Sequence, residues 1–360
     1  MPGTLRKQVR KGGFRTQAEA ARALTEFLHE SDQGTAVPNS RITVEEYLKG
    51  WLEGLPARGL RPRTIETYES LIRCHVVPTL GPVKVQALTA LHLDRLYARL
   101  RTEGGVLEAG KPLSARTVRI VHTILRRALA DAERQGIVPR NMADLASPPS
   151  NKSAKAPEAE IWTTEELRGF LAQIGDHQLH PLVYLAGYTG MRRGELCGLR
   201  WSDVDFDTDR ISVRQQAQNM KGEIIFSELK TDNARRSIAL DGQTVAVLRS
   251  HRKTQAEWRL AVGPGWQDSG LVFTQVDGSP FDPSAITKTF HTLVERSGLP
   301  GVTLHGLRHS HAAHLLMAGV PALTVSKRLG HSSVIFTQDR YGHLLPDSQD
   351  AVVAAIERGR

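Results

Sequence analysis

Residues 302–333 read VTLHGLRHSHAAHLLMAGVPALTVSKRLGHSS. Two helices and their stops are legible in this stretch. One helix is predicted from about Gly306 to Met317, ended by Gly319, and another from Pro321 to Leu329, ended by Gly330. The first is rich in histidine: His305, His309, His311 and His314 surround Arg308. That density suggests a metal site. However, the glutamate of an HExxH motif is missing, and an arginine inside the cluster repels a divalent cation. His305 and Arg308 are three apart and share a helix face. They pair a proton-transfer group with a planar fork that suits a phosphate. Taken alone, the pair also fits a plain solvated face. His331 stands at the end of the second helix, where ring and backbone are both placed to point at an anion.

Around this stretch, residues 158–360 read as one mixed domain. Thr163-Thr-Glu-Glu166 is a capping box that opens a helix, and Leu182–Tyr188 continues as buried helix. The period then changes: Ile211–Val213, Glu223–Phe226 and Arg236–Leu240 read as short strands, with a turn at Lys221-Gly222. Helices return over Pro283–Ser297, ended by Gly298, and a last one is expected over Ser348–Glu357. The segment Ser147–Pro157, SPPSNKSAKAP, is a linker. Before it, residues 41–146 read as all helix. A capping box at Thr43-Val-Glu-Glu46 starts the first helix, others fit Thr64–His75, Thr89–Thr102 and Ser114–Gln135, and Gly136 ends the last. Residues 1–35 form a short basic block with a helical stretch Gln17–His29, and Gln33–Ser40 is a second linker. The fold class is therefore mainly α, with a small antiparallel β-sheet in the C-terminal domain of a two-domain chain.

The bulk numbers set bounds on the partner. The chain has 360 residues and a net charge of +9. Residues 1–150 hold 23 Lys/Arg against 15 Asp/Glu, so nearly all of the excess sits there. An anionic partner such as nucleic acid is expected on one side, a merely basic soluble surface on the other. There is no apolar run of membrane length and no apolar signal core near the start. Cys74 and Cys197 make no disulfide framework. The expectation is a cytoplasmic protein. GxxxxGK[ST], GxGxxG and GxSxG are all absent, so neither a nucleotide loop nor a hydrolase elbow is indicated.

Three further pieces complete the pattern: Thr189-Gly-Met-Arg192-Arg193-Gly-Glu195-Leu196, Leu229-Lys230-Thr231, and Thr337-Gln-Asp-Arg340-Tyr341-Gly-His343-Leu344. The ordered set TGMRRGEL, LKT, HGLRH, LGHSS and TQDRYGHL resembles the tyrosine recombinases, or phage integrase family, over about Thr43–Pro346. The resemblance implies roles residue by residue. Arg192 and Arg308 match the two arginines that grip the scissile phosphate and stabilise its transition state. Lys230 matches the β-hairpin lysine that protonates the leaving 5′ oxygen, although Lys221 lies in a neighbouring turn. His305 matches the histidine that assists proton transfer, His331 a phosphate hydrogen-bond donor, and Tyr341 the nucleophile. A phenol near pKa 10 needs such cationic neighbours to react. They supply the charge that other enzymes take from metals, so no cofactor or metal is expected. The sequence leaves open which of Arg192 and Arg193 faces the phosphate, and Glu195 is placed to anchor this bend through backbone N–H groups.

The resemblance also implies that the helical block is a core-binding domain that closes on double-stranded DNA opposite the catalytic domain. Arg61, Arg63, Arg116, Arg119, Arg126 and Arg127 are its expected phosphate contacts. The stretch KGGFRTQAEAARALTEFL resembles the end of an arm-site-binding domain whose preceding strands are missing. Recombination implies a homotetramer on two attachment sites, with Leu344–Arg360 docking on a neighbour, and a directionality factor is a possible partner. The competing readings are a relaxing topoisomerase of type IB and a DNA-binding regulator with a dead site.

Overall fold

The computed structural model describes residues 13–32, 41–104, 110–154, 160–229, 235–331, 333–335 and 356–357. Chain contacts divide it into two units, Met1–Pro157 and Glu158–Arg360. Among the described residues no helix is long and apolar enough to cross a membrane.

The first unit is helical throughout its described residues. Helix α1 (Gln17–Asp32) opens the described chain, and none of its residues 17–25 is buried. Helix α2 (Val44–Glu53) starts at the expected box: the Thr43 hydroxyl accepts the Glu46 N–H and the Glu46 carboxylate accepts the Thr43 N–H. Helix α3 (Pro62–Leu71) runs through a π-turn at Ile72–Val76 into the short α4 (Val77–Leu80). Helices α5 (Ala90–Thr102) and α6 (Ala115–Arg134) are capped by Thr89 and Ser114, and Gly136 follows at φ +66°. Tyr47, Trp51, Leu93, Leu96, Ile124 and Leu125 share one core. Asp131 reaches into it and accepts from Trp51 Nε1 at 2.7 Å and from Arg58.

The second unit is built around two largely buried helices, His180–Thr189 and Leu304–Met317. Helix α7 (Thr164–Gln173) follows Trp162, whose ring lies against Phe170 and Phe290. Helix α8 (His180–Thr189) buries six consecutive residues, Leu182 to Gly187, which marks a central helix rather than a surface one. It stops at Gly190 in the left-handed conformation, and the five-residue α9 (Arg193–Cys197) follows. The predicted small sheet is in fact two. Strands β1 (Val204–Asp205), β2 (Arg210–Val213) and β5 (Arg236–Ala239) form a three-stranded antiparallel sheet in the order β1-β2-β5. Strands β3 (Gln215–Met220) and β4 (Glu223–Glu228) form a separate hairpin with Lys221 and Gly222 at its tip. The sequence reading missed β3, whose QQAQNM lacks β-branched residues. It also missed the 21-residue α10 (Gly242–Val262). Helices α11 (Pro283–Ser297), α12 (Leu304–Met317) and α13 (Ala322–Leu329) match expectation within two residues and end at the expected glycines. The linkers' 33–40 and 155–157 and the last predicted helix, apart from residues 356–357, lie outside the described residues.

Candidate active site

The site forms at the C-terminal end of α13. A helix leaves its last four carbonyls without partners inside the helix. Here Gly330, at φ +69°, turns the chain so that its own N–H reaches the Lys327 carbonyl and the His331 N–H reaches the Ser326 carbonyl. The next three carbonyls each accept from an arginine. Arg236 Nε donates to the Arg328 carbonyl at 2.6 Å, Arg308 Nη2 to that of Leu329 at 2.7 Å, and Arg192 Nη2 to that of Gly330 at 3.0 Å. The negative end of the helix dipole favours these cations. Three guanidiniums from β5, α12 and the α8–α9 bend thus converge on one helix end.

Each guanidinium is fixed from a second side. Arg308, only 2% exposed, also donates through Nη1 to the Gly190 carbonyl at 2.7 Å. Glu195, fully buried, holds the other two. It accepts the Arg192 backbone N–H and Nη1, both at 2.8 Å, and takes Arg236 Nη1 and Nη2 at 3.1 and 2.8 Å. Burial by itself raises the Glu195 carboxyl. The hydrogen bonds and charge of Arg236, then the charge of Arg192, outweigh it and hold the group below the usual carboxylate range. Glu195 therefore does more than the predicted anchoring of the bend. One carboxylate between two guanidiniums leaves the trio with a net positive charge. Arg193 points away, with Nη1 on Thr287 of α11 at 2.6 Å.

His331 lies beside the arginines. Burial first, then the charges of Arg308 and Arg192, push its imidazole down to about 3. At neutral pH it is an uncharged donor or acceptor. Its backbone N–H is spent on the Ser326 carbonyl, so the expected second arm toward an anion is corrected. His305, in the first turn of α12, is exposed and packs edge-on against His309 with ring centres 4.9 Å apart. It and Arg308 differ in burial, so they do not form one solvated face. Among the described residues no three His, Cys, Asp or Glu side chains gather as a metal site requires. Of the six predicted catalytic residues, Arg192, Arg308 and His331 come together and His305 stands at the adjoining helix start. Lys230, Tyr341 and the nearby His343 lie outside the described residues.

Two residues that hold the guanidiniums in place had no role assigned from the sequence beyond the turn at the second of them. Arg236 left one signal: it is two residues from Ile238 on β5 and so in phase with the core face, where a charge needs a partner. Gly190 is the other. Its φ is +65°, and a Cβ there would stand 2.6 Å from Leu329 Cδ2 and 2.9 Å from His311 Cδ2. Gly190→Ala is expected to destabilise the catalytic unit by about 2–4 kcal/mol, from left-handed strain plus overpacking. A melting temperature equal to the parent's would contradict this close approach.

The buried histidines set a pH dependence. Burial and the Arg328 charge push His311 to about 3, the same low value as His331, whereas in the unfolded chain an imidazole ionises near 6.5. Below 6.5 the unfolded state binds more protons than the fold, so stability falls as pH drops from 6.5 toward 3. His311→Gln is expected to show a shallower decline of melting temperature between pH 6.5 and 5. An unchanged slope would count against a neutral His311.

The six expected DNA-contacting arginines are distributed as follows. Arg61 immediately precedes α3 and is exposed, while Arg63 pairs with Glu66 at 2.7 Å. Arg116, Arg119, Arg126 and Arg127 fall on one side of α6. Arg116 and Arg127 are exposed, Arg119 donates to the Pro149 carbonyl at 2.5 Å, and Arg126 pairs with Asp144 at 2.5 Å. Exposed pairs of this kind are worth about 0–1 kcal/mol, so a phosphate can replace the carboxylate.

Residues 163–347 match the phage integrase family, and residues 43–101 match the N-terminal SAM-like domain of phage integrases. The chain belongs to the phage integrase family. This integrase-family protein is 27% identical to a "Tyrosine recombinase XerC-like" protein of Caldanaerobacter subterraneus subsp. tengcongensis, over 97% of this chain and 92% of the relative. It is 30% identical to an integrase of Streptomyces ambofaciens, over 92% and 84%. Its fold is similar to the Tn1549 transposon integrase solved in complex with a circular intermediate DNA. The TM-score is 0.71 at 21% identity, covering 89% of this chain and 100% of that one. A lambda integrase dimer bound to a core site gives 0.61 at 18% identity, covering 83% and 95%.

Proposed function

We propose that this protein is a tyrosine recombinase that breaks and rejoins double-stranded DNA at specific sites, integrating or excising a mobile element. Relatives named integrases and recombinases, and neighbours solved on DNA, support the DNA partner. The observation that carries the reading is the convergence of Arg192 and Arg308 on one helix end beside His331. A guanidinium has five N–H donors, so it can hold carbonyls and phosphate oxygens at once. In this reading Tyr341 attacks the phosphorus as His305 takes the phenolic proton. The bond to the 5′ oxygen breaks, Lys230 protonates that oxygen, and a 3′-phosphotyrosine forms. Arg192, Arg308 and His331 stabilise the charge on the non-bridging oxygens. The 5′ hydroxyl of another strand then attacks the ester and releases Tyr341. Ester exchange conserves the bond energy, so no nucleotide is consumed.

The reading extends to the assembly. Residues 41–146 act as the core-binding domain, 147–157 as the linker and 158–360 as the catalytic domain. The basic side of α6, with Arg61 and Arg63, holds DNA phosphates. Four protomers work on two sites, and the segment 344–360 docks on a neighbour, with a directionality factor as a further partner. Residues 1–35 resemble the end of an arm-binding domain.

A nicked suicide duplex built from the attachment site bordering the gene tests the chemistry. The parent is expected to form a covalent adduct, and Tyr341→Phe to bind the duplex but form none. An adduct with Tyr341→Phe would assign the nucleophile elsewhere. A parent that binds without reacting would favour the regulator with a dead site. Strand transfer between two duplexes separates a recombinase from a relaxing topoisomerase.

A further inference from the structure

We propose that Arg328 and His311 are positioning residues for the reaction: they bolt down the helix end whose carbonyls hold Arg192, Arg308 and Arg236. This rests on the reading that Arg192 and Arg308 grip the scissile phosphate. The main-chain carbonyl of Arg328 is the first of the three that accept from arginines. Its side chain ties the same point to three other elements. Nη1 donates to the Ala239 carbonyl on β5 at 3.1 Å, Nη2 to the Tyr188 carbonyl on α8 at 3.2 Å, and Nε to His311 Nε2 on α12 at 3.1 Å. The guanidinium plane therefore sets the spacing between the ends of α13 and α8. Those two ends carry the Leu329 and Gly190 carbonyls between which Arg308 is held.

His311 is the matched acceptor. Arg328 can only donate, so Nε2 must keep its lone pair and the ring must stay neutral. The structure favours this in two ways. The ring is 8% exposed, and its other side hydrogen-bonds the Gly187 backbone, which leaves the proton on Nδ1. His311 also stands against Gly190, so it packs at the bend itself. The pair lies behind the phosphate-binding groups and acts through them. A displacement of about 1 Å in such a support can cost on the order of a hundredfold in rate.

The test separates rate from active fraction. Single-turnover adduct formation on the nicked attachment-site duplex, at saturating protein, gives a rate constant and an amplitude. Arg328→Met and His311→Leu are expected to lower the rate constant about 10- to 100-fold while duplex affinity changes less than about threefold. Arg328→Lys keeps the charge but not the three-way fork and stays at least about tenfold slow. His311→Gln retains one acceptor and one donor and is expected near the parent. A merely structural pair would lower amplitude and melting temperature and leave the rate constant of the reacting fraction intact, and that result overturns the proposal. If Arg328→Met does not fold, the contrast between His311→Leu and His311→Gln decides the matter, and equal rate constants overturn it. Arg192→Gln and Arg308→Gln run alongside. If they react at the parent's rate, the phosphate-gripping reading fails. If they are dead while Arg328→Met and His311→Leu keep the parent's rate constant, only the positioning proposal fails.

Discussion

Arg308→Lys is expected to slow covalent adduct formation by about a thousandfold or more, with DNA affinity reduced far less. Removal of one donor aimed at developing charge already costs roughly 100- to 1,000-fold. Lysine loses more than one. Arg308 spans the Gly190 and Leu329 carbonyls, 118 and 21 residues away in sequence, from a site 2% exposed. A lysine ammonium is a point charge that can satisfy one carbonyl but not the geometry of both. The abandoned carbonyl costs about 1–3 kcal/mol on burial, so the melting temperature should fall as well. Single-turnover kinetics on the nicked duplex measure the first effect and a thermal scan the second. A rate within tenfold of the parent would show that the fork is not what the phosphate meets.

Glu195→Ala is expected to destabilise the catalytic unit by about 3–5 kcal/mol, the usual cost of removing one partner from a buried ion pair. Glu195 is fully buried and Arg236 is 6% exposed at its side chain, so the charge left behind has no route to water. Arg192, at 37%, is the less affected neighbour. Glu195→Gln keeps the shape and one acceptor oxygen and should lose less stability than Glu195→Ala. Glu195→Ala removes both carboxylate contacts of Arg192 and Glu195→Gln weakens them, so both should also slow adduct formation. Urea unfolding of the full chain reports the stability difference. A loss below about 1 kcal/mol for Glu195→Ala would mean that the two guanidiniums find other partners.

Much of the fold is legible because helix ends are local. Thr43, Thr89, Ser114 and Thr163 accept N–H groups that no other element can reach, and Gly298 and Gly330 adopt a conformation that costs other residues strain. Helix α10 escaped detection for a physical reason. Three of its five buried residues are polar: Thr244, His251 and Gln255. Gln255 satisfies itself on the Leu271 and Val272 carbonyls and Thr274, and His251 also takes the Val272 carbonyl. An apolar period cannot reveal a helix whose inner face is polar and hydrogen-bonded.

The sequence by itself supplied the ordered candidates for the site, because arginine, histidine, lysine and tyrosine side chains can be named one by one. It also determined the helices that deliver Arg308 and His331. Only the tertiary structure decided what holds them. The three carbonyls at the end of α13 belong to the backbone, which every residue shares, so no motif announces them. Their partners come from β5, α12 and the α8–α9 bend, and Arg236, Arg328 and His311 acquire meaning only when those segments meet. Side-chain identity is written in the chain, whereas a backbone acceptor left open at a helix end becomes a binding group only through what folds against it.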